Sequence, residues 1–163
     1  MSGDQIDAIL AQWQKERPDL DVSPMGIIGR IGRVRQHLLR GIQKTFSEFD
    51  LNAGEFDVLA TLRRSGQPYQ LTPTALFNTL MVSSGTMTHR LDGLEQADLV
   101  QRIPDSIDRR VTLIQLTHKG YDVIEKAITV HVANEHRLLS ALKEAERDAL
   151  AQLLRKLLTS FEE

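Results

Sequence analysis

The stretch Ser83-Ser84-Gly85-Thr86-Met87-Thr88-His89-Arg90 gathers four hydroxyl groups, an imidazole and a guanidinium in the first turns of one predicted helix. These are short or flexible donors and acceptors, suited to base edges and phosphate oxygens. Further on, Asp105-Ser106-Ile107-Asp108-Arg109-Arg110 precedes a short apolar strand, Val111-Thr112-Leu113-Ile114-Gln115-Leu116-Thr117. A helix fits the major groove, and a hairpin tip with paired arginines can reach a phosphate or the minor groove. Double-stranded DNA is the partner this pattern suits. At least one of Arg109 and Arg110 is expected on DNA; pairing with Asp105 or Asp108, to shape the tip, is the open alternative for the other.

The elements that must position these groups are legible around them. Asn52 with Glu55 three residues later reads as a capping box for a helix holding Phe56, Val58, Leu59 and Leu62. A short helical run spans Thr72 to Leu80. Ser83 or Ser84 is the expected N-cap of the reading helix, whose buried side is Met87, Leu91 and Leu94; Thr86, Thr88 and His89 then lie off that face. The strand is expected to alternate through Val111, Leu113 and, less strictly, Leu116. Pro104 suggests an edge strand. Helix, helix, reading helix and two-stranded wing make a winged helix-turn-helix.

Apolar helices flank this module. Ile6, Ile9, Leu10 and Trp13 share one face of a helix from Asp4 to Arg17, which Pro18 ends. Ser23-Pro24 opens a second helix with Ile27, Ile31, Val34, Leu38 and Ile42 on one stripe. Arg30, Arg33, His37, Arg40 and Lys44 lie roughly opposite, as a solvated face or as an attractor for DNA or an anionic ligand. Gly26, Gly29 and Gly32 form a ridge where another helix, such as the one carrying Trp13, can approach closely. Beyond Gly120 the chain reads as helical to its end, closing on Leu150, Leu153, Leu154, Leu157, Leu158 and Phe161. So apolar a terminal helix needs a cover. The expected fold is mainly α with a small β-wing, a winged helix-turn-helix with N- and C-terminal dimerisation helices. Its expected divisions are 1–50 (N-terminal helices, for ligand pocket and dimerisation), 51–120 (DNA-binding domain) and 121–163 (C-terminal dimerisation helices). A homodimer of this kind demands a pseudo-palindromic operator.

Composition sets bounds on function. The chain has 163 residues and a formal net charge of −2, so DNA affinity must come from locally placed cations and fall steeply with salt. With no cysteine, disulfides and thiolate chemistry are excluded. His131 and His136 do not share a helix face, and no metal or other cofactor is expected. No signal peptide is visible and no apolar run approaches the roughly 20 residues of a membrane span; the expected location is the cytoplasm. No nucleophile elbow or phosphate loop suggests catalysis, so an enzyme is not expected. A winged helix serving only protein interaction stands as a rival from another class.

From Ser23 onward the chain resembles the MarR family of transcriptional regulators. The resemblance is carried by Asp105-Ser106-Ile107-Asp108-Arg109-Arg110, by Leu116-Thr117-His118-Lys119-Gly120, and by Leu94-Glu95-Gln96-Ala97-Asp98-Leu99-Val100 after the reading helix. A narrower resemblance, to the urate-responsive PecS-like branch, rests on Trp13 in an added N-terminal helix and on the run Arg17 to Pro24. Asp57, Arg90 and Arg102 match that branch's aspartate and two arginines. The resemblance implies a repressor released from its operator by urate or a related purine, with Trp13, Asp57, Arg90 and Arg102 binding the ligand. A MarR-type regulator answering a phenolic acid, drug or other aromatic anion is the alternative. The chemistry suits a flat anionic heterocycle: guanidinium groups give bidentate hydrogen bonds, indole a stacking face, and carboxylate an acceptor or a repelled neighbour. Structural readings stay open beside it: Trp13 as an anchor of its helix, Asp57 as the partner of an arginine, Arg90 on phosphate, and Arg102 as a brace for the wing.

Overall fold

The structure, a computed structural model, describes residues 3–80 and 84–162. It divides into two compact units, Met1–Gly41 and Ile42–Glu163. The first contains helix α1 (Gln5–Glu16) and most of α2 (Ser23–Ser47). Asp4 caps α1, its carboxylate accepting from the backbone N–H groups of Ile6 and Asp7 while Asp7 accepts from Asp4.

The glycine ridge of α2 is two-thirds used. A β-carbon at Gly26 would lie 3.1 Å from Leu10 Cδ1, and one at Gly29 equally close to Ile6 Cδ1, whereas Gly32 faces open space. So α1, the helix carrying Trp13, lies directly against α2. Arg30 completes the seam, pairing with Asp4 at 2.9 Å and Asp7 at 2.6 Å. It therefore leaves the free basic stripe to which its spacing assigned it.

The second unit is built on α3 (Ala53–Arg64), β1 (Gln70–Leu71), α4 (Pro73–Leu80), α5 (Ser84–Gln96), β2 (Val100–Pro104), β3 (Thr112–Leu116), α6 (His118–Leu138) and α7 (Glu144–Glu162). The capping box on α3 is present in both directions, Asn52 to Glu55 and back. Phe56, Val58, Leu59 and Leu62 of α3 are buried with Leu76 of α4 and Met87, Leu91 and Leu94 of α5. The strand order is β1-β3-β2, antiparallel throughout, so β2 with Pro104 is an edge strand.

Three features depart from the sequence expectation. The sheet has three strands, because Gln70 and Leu71 pair with Gln115 and Ile114; two residues are too few to show a period. On β3 the core phase is Ile114 and Leu116, so of the expected positions Leu116 is in phase and Val111 and Leu113 are one step out. Leu113 is covered on the other face, where its register partner is Ile103. A one-residue slip in reading exchanges the faces of a strand. Third, α6 begins before Gly120. Thr117 caps it, accepting from Gly120 N–H at 2.9 Å and donating to Asp98 O at 2.7 Å. Lys119 adds a bond to Ala97 O at 2.7 Å. The motif after the wing is thus a clamp that docks α6 on the turn after α5.

Helix α7 buries none of its residues, and Leu153, Leu158 and Phe161 are more than half exposed. On α2, Ile27 and Ile28 are also open. Among the described residues no helix is long and apolar enough to cross a membrane.

Candidate nucleic-acid interface and effector site

Helix α5 places its side chains on three sides. Met87, Leu91 and Leu94 are in the core. Thr86, Thr88 and His89 are exposed, as a groove-reading surface requires. Ser83 and the side chain of Ser84 lie outside the described residues, as does the N-cap assigned to one of them. Arg90 is half-buried and turned toward α3, with its guanidinium over Gly54.

The wing tip assigns its two arginines different tasks. Arg110 reaches back to Asp108 through two side-chain bonds, Nε to Oδ1 at 3.0 Å and Nη2 to Oδ2 at 2.9 Å. That pairing holds the Asp108 carboxyl below the usual carboxylate range. Asp105 folds the turn by accepting from the N–H groups of Ile107 and Asp108. Arg109 is exposed and, among the described residues, has no ion-pair partner. One arginine shapes the wing, and the other presents an uncommitted cation.

Of the three residues of the second unit matched to an effector site, the structure brings two together. Asp57 lies near enough to Arg90 to feel its charge, although no hydrogen bond joins them. Burial pushes the Asp57 carboxyl above the ordinary carboxylate value even though part of the side chain is open to solvent; Arg90, Arg64 and His131 pull the other way. Arg102, on β2, is held elsewhere. Its guanidinium binds Asp92 at 2.6 Å and also Glu95, both on α5. These acids raise the Arg102 pKa further. Trp13 is on α1 in the first unit, with its indole partly exposed.

Several neighbours of this site carry no sequence signal. His131 of α6 sits against the stacked rings of Phe46 and Phe56, at centroid distances of 5.1 and 4.9 Å. It pairs with Glu135 through Nε2, and its buried Nδ1 has no partner. Gly54 appears as a site residue only once Arg90 is seen above it. Asp92 and Glu95 do have a signal, two carboxylates three residues apart on one helix, but their partner is fixed only by the fold. Among the described residues no group of three or more His, Asp or Glu could hold a metal ion.

Known proteins resemble this chain in sequence and in fold. The family model described as "MarR family" matches residues 51–112. The HTH-type transcriptional regulator PecS of Dickeya dadantii is 46% identical over 150 residues, covering 92% of this chain and 90% of its own. A mutant MarR of Escherichia coli, solved in complex with operator DNA, superposes with a TM-score of 0.72 at 30% identity, covering 85% of this chain and 99% of its own. BpsR of Bordetella bronchiseptica, whose structure concerns regulation of its DNA binding by 6-hydroxynicotinic acid, gives 0.68 at 25% identity, covering 84% and 92%.

Proposed function

The chain belongs to the MarR family of transcriptional regulators, and we propose that it is a dimeric repressor released from a pseudo-palindromic operator by urate or a related oxidised purine. The observation that carries this reading is the Arg90 guanidinium of α5 lying over Gly54 of α3, three residues before Asp57, whose carboxyl feels its charge. An anion drawn to Arg90 meets the Asp57 carboxylate at once. Its charge disfavours the arrangement in which α3 and α5 are apposed, and α5 is the helix that presents Thr86, Thr88 and His89. Arg109 supplies a phosphate or minor-groove contact from the wing. Arg90 acts on DNA through the seat of α5 as well as through its own charge.

Trp13 and Arg102 enter this reading through the resemblance to the purine-responsive branch. For Arg102 the consequence is specific: a ligand that takes its guanidinium must displace Asp92 and Glu95. Ligand and DNA must then weaken each other's binding by the same factor, in proportion to the ligand's differential affinity for the two states.

The test is thermal stabilisation and release of the protein from DNA of its own upstream region. Urate at about 100 times its dissociation constant adds about 2.7 kcal/mol to the unfolding free energy and frees the DNA. If neither urate nor xanthine binds or releases at millimolar concentration, the purine reading falls. The second reading, an aromatic acid as effector, is favoured by the BpsR similarity. A panel of aromatic carboxylates in the same assay separates the two.

A further inference from the structure

We propose that Gly54 is a positioning residue of the effector site: it is the berth on α3 in which the Arg90 guanidinium lies, and it fixes where that cation stands beside Asp57. The ligand arm of this proposal rests on the effector reading above; the berth itself rests on geometry.

A β-carbon built at Gly54 would lie 2.5 Å from Cζ and 2.8 Å from Nη2 of Arg90. The guanidinium therefore fills the volume that any other side chain would need. Nothing in the backbone asks for glycine here. Gly54 lies in the first turn of α3 and is not among the residues of positive φ. In a helix, glycine is less favourable than alanine. Asp57 follows three residues later on the same face of α3, so the berth and the carboxylate are adjacent steps of one surface.

Two other glycines show what is particular about this one. Gly93, on the facing helix, would bring a β-carbon to 3.6 Å from Glu55 Oε1, an ordinary contact that alanine would tolerate. At Gly120 the added carbon would come to 2.8 Å from the carbonyl carbon of Leu99 and closer still to its oxygen. That obstacle is main chain and cannot swing aside. At Gly54 the obstacle is the far end of a flexible side chain. Alanine there evicts the guanidinium and leaves the fold intact.

The experiment compares wild type, Gly54→Ala, Arg90→Ala and the double variant for melting temperature, urate affinity and affinity for the upstream DNA. Gly54→Ala melts at or above the wild-type temperature. It loses about tenfold in urate affinity, as expected for a misplaced charged hydrogen-bonding group, and it also weakens DNA binding. In the Arg90→Ala background it changes neither affinity further, because the two substitutions act through one side chain. The proposal is overturned by a lower melting temperature, by wild-type affinities in Gly54→Ala, or by an equal loss in both backgrounds. Should the wild type bind no urate, the effector reading fails by itself. The cycle is then read on DNA affinity alone, where coupling between the two positions sustains the berth and additivity refutes it.

Discussion

Leu59 on α3 and Leu157 on α7 belong to sequence patterns of the same kind, yet Leu59 is fully covered and Leu157 is 42% exposed. The winged core is finished within one chain: α3, α4, α5, β3 and α6 bury each other's apolar faces. Helix α7 is equally amphipathic and buries nothing. A periodic apolar stripe thus states that a face will be covered, and is silent on whether the same chain or another copy covers it. The wing repeats the contrast on a small scale, with Arg110 satisfied by Asp108 and Arg109 left open.

The largest effects are expected where the chain is complete. Leu59→Ala should lower the unfolding free energy by about 2–5 kcal/mol through a core cavity. Gly120→Ala should cost about 3 kcal/mol, the upper end of the range for overpacking, because its obstacle is the Leu99 main chain. Urea unfolding measures both. Losses near zero would mean that the winged core is not the stable part of the molecule.

The complementary substitution is Leu153→Asp together with Leu157→Asp. If α7 is covered by a second copy, the double variant becomes monomeric by light scattering, and its melting temperature no longer rises with protein concentration. A double variant that stays dimeric, with a melting temperature that still rises with protein concentration, would show that this face of α7 is not covered by a second copy, and the contrast would break.

At the wing the two arginines should separate cleanly. Arg109→Ala leaves the wing folded, weakens DNA binding and makes the salt dependence shallower by about one unit for each phosphate no longer neutralised. Arg110→Ala frees Asp108, and its effect is expected in amide exchange of residues 105–111. Equal effects of both on DNA and on exchange would erase the distinction between a committed and an open cation.

The smallest effect is expected at Asp57. Its pKa is raised in the folded chain by burial, so the ionised form costs stability. That cost is absent below the ordinary carboxylate value, grows as pH rises through the raised value, and is complete above it. Asp57→Asn should therefore raise the melting temperature slightly at neutral pH, and the gain should vanish on acidification. A substitution that stabilises at pH 7 while blunting release by ligand would show a carboxylate kept for function rather than for the fold.

Much of this architecture was legible because it is local. Asn52 and Glu55 announce the start of α3, and the buried side of α5 follows from Met87, Leu91 and Leu94. The paired arginines mark the hairpin tip. What was hidden depends on contacts between elements. A two-residue strand such as Gln70–Leu71 has no period. Ile114 beside Leu113 offers two equally apolar phases for one strand, and only the pairing of Leu113 with Ile103 resolves them. For Arg102, type and position suit a ligand, and only the fold shows that Asp92 and Glu95 already hold it.

The Arg102 pairing ties the reading helix to the first strand of the wing through two carboxylates of α5. Linked charges at a partly covered site hold better than an isolated surface pair, so the spacing between α5 and the wing is set before DNA arrives. The less the protein adjusts this spacing, the more of the adjustment falls to the duplex. Operator choice should then depend on base pairs that no side chain touches, through the energy of opening or narrowing the groove between helix and wing. Flexible steps placed there would favour binding, and stiff tracts of the wrong width would oppose it. Part of this protein's sequence preference is in that sense written in the elasticity of its target.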